Sequence, residues 1–162
     1  MQRILSILIL AIFISGCNSS EEKEKEKLIG LKFSLEIPEK GMKSLEKDRE
    51  EALKNKVLIS DILSWVKAEL TFGEEKIPVK VRLKGDWTDH LKGDKWSLRV
   101  KVKGEKYVMG MKEFSFQAPE TRGDLNEWVY HKLLEKEDIL TTKYEFCELT
   151  INGVEKGVFA LE

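Results

Sequence analysis

A loop near the middle of the chain carries side chains of the types that bind metal ions. Asp86, Asp89, His90 and Asp94 fall within a short polar segment, and carboxylates and imidazoles are common ligands of divalent cations. Their spacing matches neither a calcium-binding loop nor the paired ligands of a zinc site. We therefore expect a polar loop here and keep metal binding as the lesser alternative.

The N-terminus has the layout of a secretion signal that ends in a cysteine. Arg3 precedes an apolar run over residues 4–14, as in a cleavable signal. At 1.5 Å per residue this run covers about 17 Å, whereas the hydrocarbon core of a bilayer is ~30 Å thick. It is followed by Ser15-Gly16-Cys17, which with Ile14 resembles the lipobox of bacterial lipoproteins. The resemblance implies a diacylglyceryl group on Cys17 that anchors the mature protein in a membrane. The alternative is an ordinary signal peptide with a chance cysteine.

The domain boundaries follow from this N-terminus. We expect a signal peptide over residues 1–16, a lipidated cysteine with a charged tether over residues 17–27, and one domain over residues 28–162. The tether is rich in Glu and Lys and is predicted to be solvated. The expected location is an extracytoplasmic face of the cell membrane or the outer membrane. The formal net charge of −1 argues against nucleic acid as a partner.

The cysteine, tryptophan and histidine residues of the domain provide few candidate functional sites. Cys147 is the only cysteine left after lipidation, which excludes an intrachain disulfide, and it is predicted to be a small buried hydrophobe. Trp87, Trp96 and Trp128 are of the type that stacks on sugars or on a base, although tryptophans beside alternating strands more often belong to the core. His131, among leucines on a predicted helix, is expected to be structural. No serine or cysteine has a recognisable partner base.

Alternation of apolar and polar residues predicts that the domain is mostly β. Segments 66–72 and 77–83 flank a polar turn and predict a β-hairpin. Helical spacing predicts one helix over about 42–55 and a second that begins near Leu125, with Asp124 and Glu127 as an N-terminal cap. The chain stops inside its last predicted strand, so we expect a domain truncated at its C-terminal end. The other expected strands lie at 29–37, 96–102, 114–116, 143–151 and 158–161.

Cations recur at every second position of two of these strands. Because side chains of a strand alternate between its two faces, these cations share the face opposite the apolar one. A solvated sheet surface is the ordinary interpretation of such a pattern. The residues are Lys80, Arg82, Lys84, Arg99, Lys101 and Lys103.

Several short phrases, taken in their order and spacing, resemble the CotH family, which is named for a spore-coat protein and includes secreted enzymes with a kinase fold. The resemblance covers residues 75–162 and is greatest to the family's lipoprotein-borne members outside spore coats, so a spore location is not implied. The phrases are VRLKGDW at 81–87, DHL at 89–91, KWSLR at 95–99, MKEFS at 111–115, EWVYH at 127–131, ING at 151–153 and GVF at 157–159.

The resemblance implies a protein kinase that uses ATP with magnesium or manganese. Phosphoryl transfer needs cations against the phosphates and acidic ligands for the metal. Under this resemblance Arg82, Lys95 and Arg99 are candidates to bind phosphate or nucleotide, and Glu127 matches the kinase helix glutamate that pairs with a lysine. The alternative for Glu127 is a helix-capping role. The family's metal-binding and catalytic aspartates would lie beyond Glu162, so we assign no catalytic residue and expect no catalysis from this chain alone.

The expected fold is therefore α+β, a mainly antiparallel sheet with one or two packed helices, resembling the N-terminal part of an atypical protein-kinase-like fold. The functional hypothesis is a membrane-anchored CotH-family lipoprotein related to secreted ATP-dependent protein kinases, as an incomplete or degenerate copy. The alternative is a non-enzymatic envelope lipoprotein that binds a protein or glycan through its sheet. The expected partners are the membrane and either a protein substrate or an envelope component.

Overall fold

The computed structural model describes residues 30–59 and 62–162, which form seven strands and two α-helices. The predicted signal peptide, Cys17 and the tether lie outside the described residues. Helix α1 spans Glu39–Asn55 and helix α2 spans Asn126–Lys136. Two short 3-10 turns occupy Thr88–Leu91 and Pro119–Arg122. The strands are β1 (Lys32–Glu36), β2 (Val66–Phe72), β3 (Glu75–Leu83), β4 (Leu98–Val102), β5 (Glu113–Gln117), β6 (Glu145–Ile151) and β7 (Val154–Leu161).

The strands close into a barrel in the order β1-β2-β3-β4-β5-β7-β6. Six of the neighbouring pairs are antiparallel, and the closing pair, β1 with β6, is parallel, with Phe33 opposite Leu149. The predicted hairpin is confirmed as β2 and β3, where Leu70 faces Ile77. Closure pairs every strand on both sides, which removes the exposed edges of an open sheet.

Alternate residues of each strand fill the barrel interior with apolar side chains. Phe33 stacks on Phe72 with their ring centroids 4.7 Å apart, and Phe114 meets Phe116 edge to face at 5.5 Å. Cys147 is also fully buried in this core, as predicted, and burial raises the pKa of its thiol to about 12. Each fully buried phenylalanine or leucine side chain stabilises the folded state by roughly 1.5–3 kcal/mol. The interior is therefore a packed core, and polar chemistry is left to the outer face.

Helix α1 packs against β2, β3 and the first 3-10 turn. It buries Leu45 and Ala52. The Arg49 guanidinium fastens the helix to this turn, because its Nε donates to the Leu91 carbonyl at 2.9 Å and its Nη2 to the Gly93 carbonyl at 3.2 Å.

Helix α2 differs from α1 because none of its residues is fully buried. Val129 and Leu133, which helical spacing predicts on one apolar stripe, are exposed. The predicted cap is wrong: the residue before the helix is Leu125, no side chain caps the first turn, and Asp124 has a positive φ of 59°.

The expected α+β fold resembling part of a protein kinase is wrong, because the described residues form a closed, mostly β barrel. The reason lies in long-range pairing. Alternation along the chain identifies strands and their apolar faces, but it does not say which strands become neighbours. Pairing of β1 with β6 and of β5 with β7 joins the two ends of the sheet, and neither pair is adjacent in sequence.

Candidate functional site

Polar side chains converge on the outer face of the barrel, where β3, β4, β5 and β7 approach helix α2. Lys84 follows β3, and its N–H donates to the Ser97 carbonyl at 2.9 Å. Gln117 ends β5, and Glu162 follows β7 and exchanges backbone hydrogen bonds with Ser115 at 2.8 and 3.2 Å. Their strand neighbours Leu83, Phe116 and Leu161 face the core, so alternation sends these polar side chains outward.

These side chains form a connected group that we call the Lys84 cluster. The Lys84 ammonium donates to Gln117 Oε1 at 2.6 Å and contacts the Glu162 carboxylate. Gln117 Nε2 in turn lies 3.5 Å from Glu127 Oε2, and Arg122 Nε lies 3.6 Å from the same oxygen. The cluster consists of Lys84, Arg99, Gln117, Arg122, Glu127 and Glu162.

Lys84 is the most electrostatically perturbed member of this cluster. Burial, together with repulsion by Arg99 and Arg122, lowers the pKa of Lys84 to about 8, while Glu127 opposes the shift. The contact with the Glu162 carboxylate also favours the charged ammonium. Three cations thus lie close together in a partly desolvated place. Each is paired with a carboxylate, those of Glu162, Glu113 and Glu127, and an additional anion would further reduce the repulsion among the cations.

Three buried polar atoms beside the cluster have no hydrogen-bond partner among the described residues: Arg99 Nε, Ser115 Oγ and Tyr144 Oη. Arg99 and Ser115 are directly opposite each other in the β4–β5 register. The nearest carboxylate to Arg99 Nε, that of Glu113, is 3.8 Å away, which is too long for a hydrogen bond. All three atoms can donate hydrogen bonds. Buried donors without acceptors, beside a group of cations, are suited to an anionic ligand.

Tyr144 and His131 line the side of the cluster beneath α2. Tyr144 is fully buried and stacks on the His131 ring at 5.4 Å. Burial, together with the Glu127 charge, raises the pKa of Tyr144 to about 12, so the phenol remains protonated and able to donate. His131 Nδ1 contacts the Thr141 hydroxyl, and its Nε2 lies 4.0 Å from Glu127. His131 therefore has the structural role that its sequence context predicts.

The structure brings together three of the four predicted phosphate-binding residues. Arg99 and Glu127 belong to the cluster, and Arg82 lies directly opposite Arg99 on β3, with its guanidinium 5.2 Å from the Trp65 ring centroid. Lys95 lies apart from them, with its ammonium 5.5 Å from the ring centroid of the core residue Phe159. Within residues 30–59 and 62–162, no ion pair or hydrogen bond joins Lys95 to the cluster.

The sequence analysis missed most of the side chains that connect the cluster. Lys84 was recognised only as one of six alternating cations, although it is the one whose pKa partial burial lowers. Gln117 carried a usable signal, because a polar residue in an otherwise apolar strand is expected either to face solvent or to have a partner. Arg122, Tyr144 and Glu162 come from separate elements, and no local spacing connects them.

The acidic loop is organised around a buried histidine. His90 is buried, its Nδ1 lies 3.1 Å from Ser97 Oγ, and burial lowers its pKa. Ser97 Oγ also accepts the Ala118 N–H at 3.0 Å. Asp94 pairs with Lys156 at 3.7 Å. The part of the chain that the structure describes holds no group of three or more His, Cys, Asp or Glu side chains placed to bind a metal.

The three predicted tryptophans occupy different environments. Trp87 is 70% exposed, so the expectation that it belongs to the core is wrong. Trp96 is partly buried against the core, and Arg49 lies 4.9 Å from its ring centroid. Trp128 is partly buried on α2. Trp87 is thus the tryptophan most available to a ligand, but no other feature of a binding site accompanies it.

Comparison with known proteins gives this chain no family. No protein-family model matches it, and no curated protein has a significantly similar sequence. Among the described residues, no helix is both long and apolar enough to cross a bilayer.

Proposed function

We propose that this protein is a lipid-anchored lipoprotein of a bacterial envelope whose barrel binds a phosphate-bearing ligand at the Lys84 cluster. The observation that supports this most is that two buried donors without hydrogen-bond partners, Arg99 Nε and Ser115 Oγ, lie beside cations that repel one another. A phosphate group is negative and presents several acceptor oxygens, and arginine binds it with strong, charge-assisted hydrogen bonds. In this proposal the chain acts as a binding module without catalysis of its own.

Phosphate binding would stabilise the Lys84 cluster in two ways, through hydrogen bonds and through charge. Its oxygens would accept hydrogen bonds from the buried donors, each of which costs about 1–3 kcal/mol while it is unsatisfied. Its charge would also raise the pKa of Lys84 from about 8, because an adjacent anion favours the ammonium. Binding at pH 8 to 9 is therefore expected to take up a proton, whereas an anion held elsewhere on the surface would not change the protonation of Lys84.

Isothermal titration calorimetry of the detergent-solubilised mature protein with pyrophosphate tests the proposal. Arg99→Ala is expected to weaken binding by about ten- to a hundredfold, since a hydrogen bond to a charged group contributes roughly 1.5–3 kcal/mol. Lys92→Ala, which removes a cation from an exposed loop, serves as the matched control and should leave the affinity unchanged. Proton uptake is read from the dependence of the binding heat on the buffer at pH 8.5. Absence of binding at millimolar pyrophosphate, or equal affinity of the Arg99→Ala protein, would contradict the proposal.

A second candidate function is nucleotide binding of the CotH type. It is favoured by one observation: Gln117 bridges Lys84 to Glu127, so the helix glutamate is coupled to a lysine of the sheet. ATP with magnesium or manganese is then expected to raise the melting temperature, with smaller shifts for Arg99→Ala and Glu127→Gln. Stabilisation by ATP that depends on the metal, without stabilisation by pyrophosphate, would favour this candidate over the first. Equal stabilisation by both ligands would favour the first.

The proposed anchor has its own test. Cys17→Ser is expected to release the protein from the membrane fraction and to abolish incorporation of labelled lipid, because two or more acyl chains are needed for stable anchoring. A serine substituted at Cys147, which is buried in the barrel, controls for general effects of losing a thiol. If fractionation and labelling persist in the Cys17→Ser protein, the protein is not a lipoprotein of this type.

A further inference from the structure

A second charged region, distinct from the Lys84 cluster, lies on the outer face of β2, β3 and β4. Lys67 is directly opposite Lys80, and Lys80 is directly opposite Lys101, so three lysines form one row across three strands. Lys103 follows two residues after Lys101, at the end of β4, and its N–H donates to the Pro78 carbonyl at 3.0 Å. We call these four residues the lysine face.

The lysine face is not neutralised by neighbouring acids. Among the described residues none of its four lysines forms an ion pair, whereas Lys76, on β3, pairs with Glu69 at 3.0 Å. Strands pack about 4.8 Å apart, and like charges directly opposite each other destabilise a sheet. Glu113 is directly opposite Lys101 in the β4–β5 register, and its carboxylate lies 3.8 Å from Arg99 Nε. The lysine face thus carries four positive charges that no ion pair within the described residues neutralises, in a chain whose net charge is −1.

A shallow groove of about 310 Å³ runs along this face. Its lining includes Trp65, Lys80, Lys101 and Lys103. Trp65 is 37% exposed at the edge of the groove, beside the Arg82 guanidinium. Lysines with long apolar stems and a half-exposed tryptophan are the combination found where proteins meet the headgroup region of a bilayer.

We propose that the lysine face docks against an anionic phospholipid surface. Charge complementarity supports this partner, since juxtamembrane lysines are attracted to anionic headgroups. Chain length supports it as well: Cys17 and Gly30 are thirteen residues apart, which at full extension is at most ~45 Å. Strand β1 begins at the barrel end that carries the β2–β3 turn, since Phe33 faces Phe72. Lys103 lies toward the same end, because its N–H donates to the Pro78 carbonyl. A lipid on Cys17 would therefore keep the lysine face within reach of the membrane.

This inference goes beyond ligand binding at the Lys84 cluster, and it depends on the proposed anchor at Cys17 for its proximity to the membrane. In the docked state the four lysines face headgroup phosphates, and the barrel lies against the membrane surface. The attraction is electrostatic, so it weakens as salt shortens the range of charge interactions to about 3 Å at 1 M.

Amine footprinting of the lipidated full-length mature protein in liposomes tests the inference. The protein is reconstituted in phosphatidylcholine with or without phosphatidylglycerol, treated briefly with an acetylating reagent, and analysed by mass spectrometry. Phosphatidylglycerol is expected to slow acetylation of the lysine face about fivefold or more, which corresponds to the attraction of one surface lysine for anionic lipid. Lys47, Lys92 and Lys136, which are exposed and lie outside this face, are internal controls and should react at the same rate in both membranes. High salt should abolish the protection.

Charge reversal provides a matched comparison. Lys80→Glu with Lys101→Glu should remove protection of Lys67 and Lys103, whereas Lys47→Glu with Lys92→Glu changes the net charge equally and should preserve it. If the first pair does not fold, the wild-type comparison between the two membranes still decides the question. Equal acetylation rates in both membranes would overturn the inference. Protection by soluble polyphosphate but not by phosphatidylglycerol would also overturn it, in favour of a polymeric partner. Separate lipid labelling shows whether a negative result comes from loss of the anchor.

Discussion

Two fully buried serines on the same barrel have opposite surroundings. Ser97 Oγ lies 3.1 Å from His90 Nδ1 and accepts the Ala118 N–H at 3.0 Å, so the polar atoms around it are satisfied. Ser115 Oγ has no partner among the described residues and lies opposite Arg99, whose buried Nε is also unpartnered. A buried polar group that is fully hydrogen-bonded supports the fold, whereas one left unsatisfied beside a group of cations is a candidate place for a ligand. The region of Ser97 and His90 is thus structural, and that of Ser115 and Arg99 is the candidate site.

The largest loss of stability is expected for a substitution at Gly85, which lies in the structural region of Ser97 and His90. Gly85 has a φ of +118°, and a Cβ built on it would lie 2.4 Å from the His90 ring. Gly85→Ala is therefore expected to lower the free energy of unfolding by about 3 kcal/mol or more, because both the backbone and the histidine must move. Gly93→Ala is the matched control: its φ is +60° with no atom within 4 Å, so it should cost only about 1–2 kcal/mol. Chemical denaturation measures both, and equal losses would show that His90 is not held in place by this contact.

The next largest loss of stability is expected for Ser97, the serine whose surrounding polar atoms are satisfied. Ser97→Ala removes the acceptor of the Ala118 N–H and the partner of His90, so we expect a loss of about 2 kcal/mol in the free energy of unfolding. Thr142→Ala, at an exposed loop position, should change stability by less than about 0.5 kcal/mol. A Ser97→Ala protein as stable as wild type would remove the distinction between the two regions.

The pH dependence of stability tests the charge of the candidate site. Folding lowers the pKa of Lys84 from 10.5 to about 8, so between these values the unfolded chain holds a proton that the folded chain has released. The free energy of unfolding is then expected to rise as the pH increases from about 8 toward 10. The rise should exceed that of a Lys84→Met protein by about 1–2 kcal/mol. Lys80→Met, on the lysine face, should retain the rise. If the free energies of unfolding of wild type and Lys84→Met change in parallel with pH, the desolvation of Lys84 that the structure indicates is contradicted.

The smallest effect on stability is expected at the unsatisfied serine. Ser115→Ala removes a buried hydroxyl without a partner, so the free energy of unfolding should change by less than about 0.5 kcal/mol or increase. The same substitution should weaken pyrophosphate binding, because it removes one of the proposed donors. A loss of stability as large as that of Ser97→Ala would show that Ser115 is a structural residue, and the contrast between the two serines would fail.

Local patterns predicted a substantial part of the barrel. Alternation placed the β2–β3 hairpin and the apolar environment of Cys147, and helical spacing placed α1 within a few residues of its observed start at Glu39. These features depend on neighbours in the chain, whose periodicity is visible in the sequence. The candidate site was predicted only in part. Arg99 and Glu127 were proposed on resemblance, but Lys95 lies elsewhere, and Gln117 and Tyr144 were not foreseen.

The sequence by itself determines that the domain is built from two-faced strands, that cations occupy one of those faces, and that Cys17 lies in a lipobox-like motif. Each of these properties follows from side chains a few residues apart. Tertiary structure alone decided that the sheet closes through the parallel β1–β6 pair and that one lysine, Lys84, becomes partly desolvated beside Gln117 and Glu162, while Lys80 and Lys101 lie opposite each other on the outer face. The reason is that burial and charge repulsion depend on which distant strands become neighbours, and the same alternating lysines acquire different chemistry according to what lies next to them.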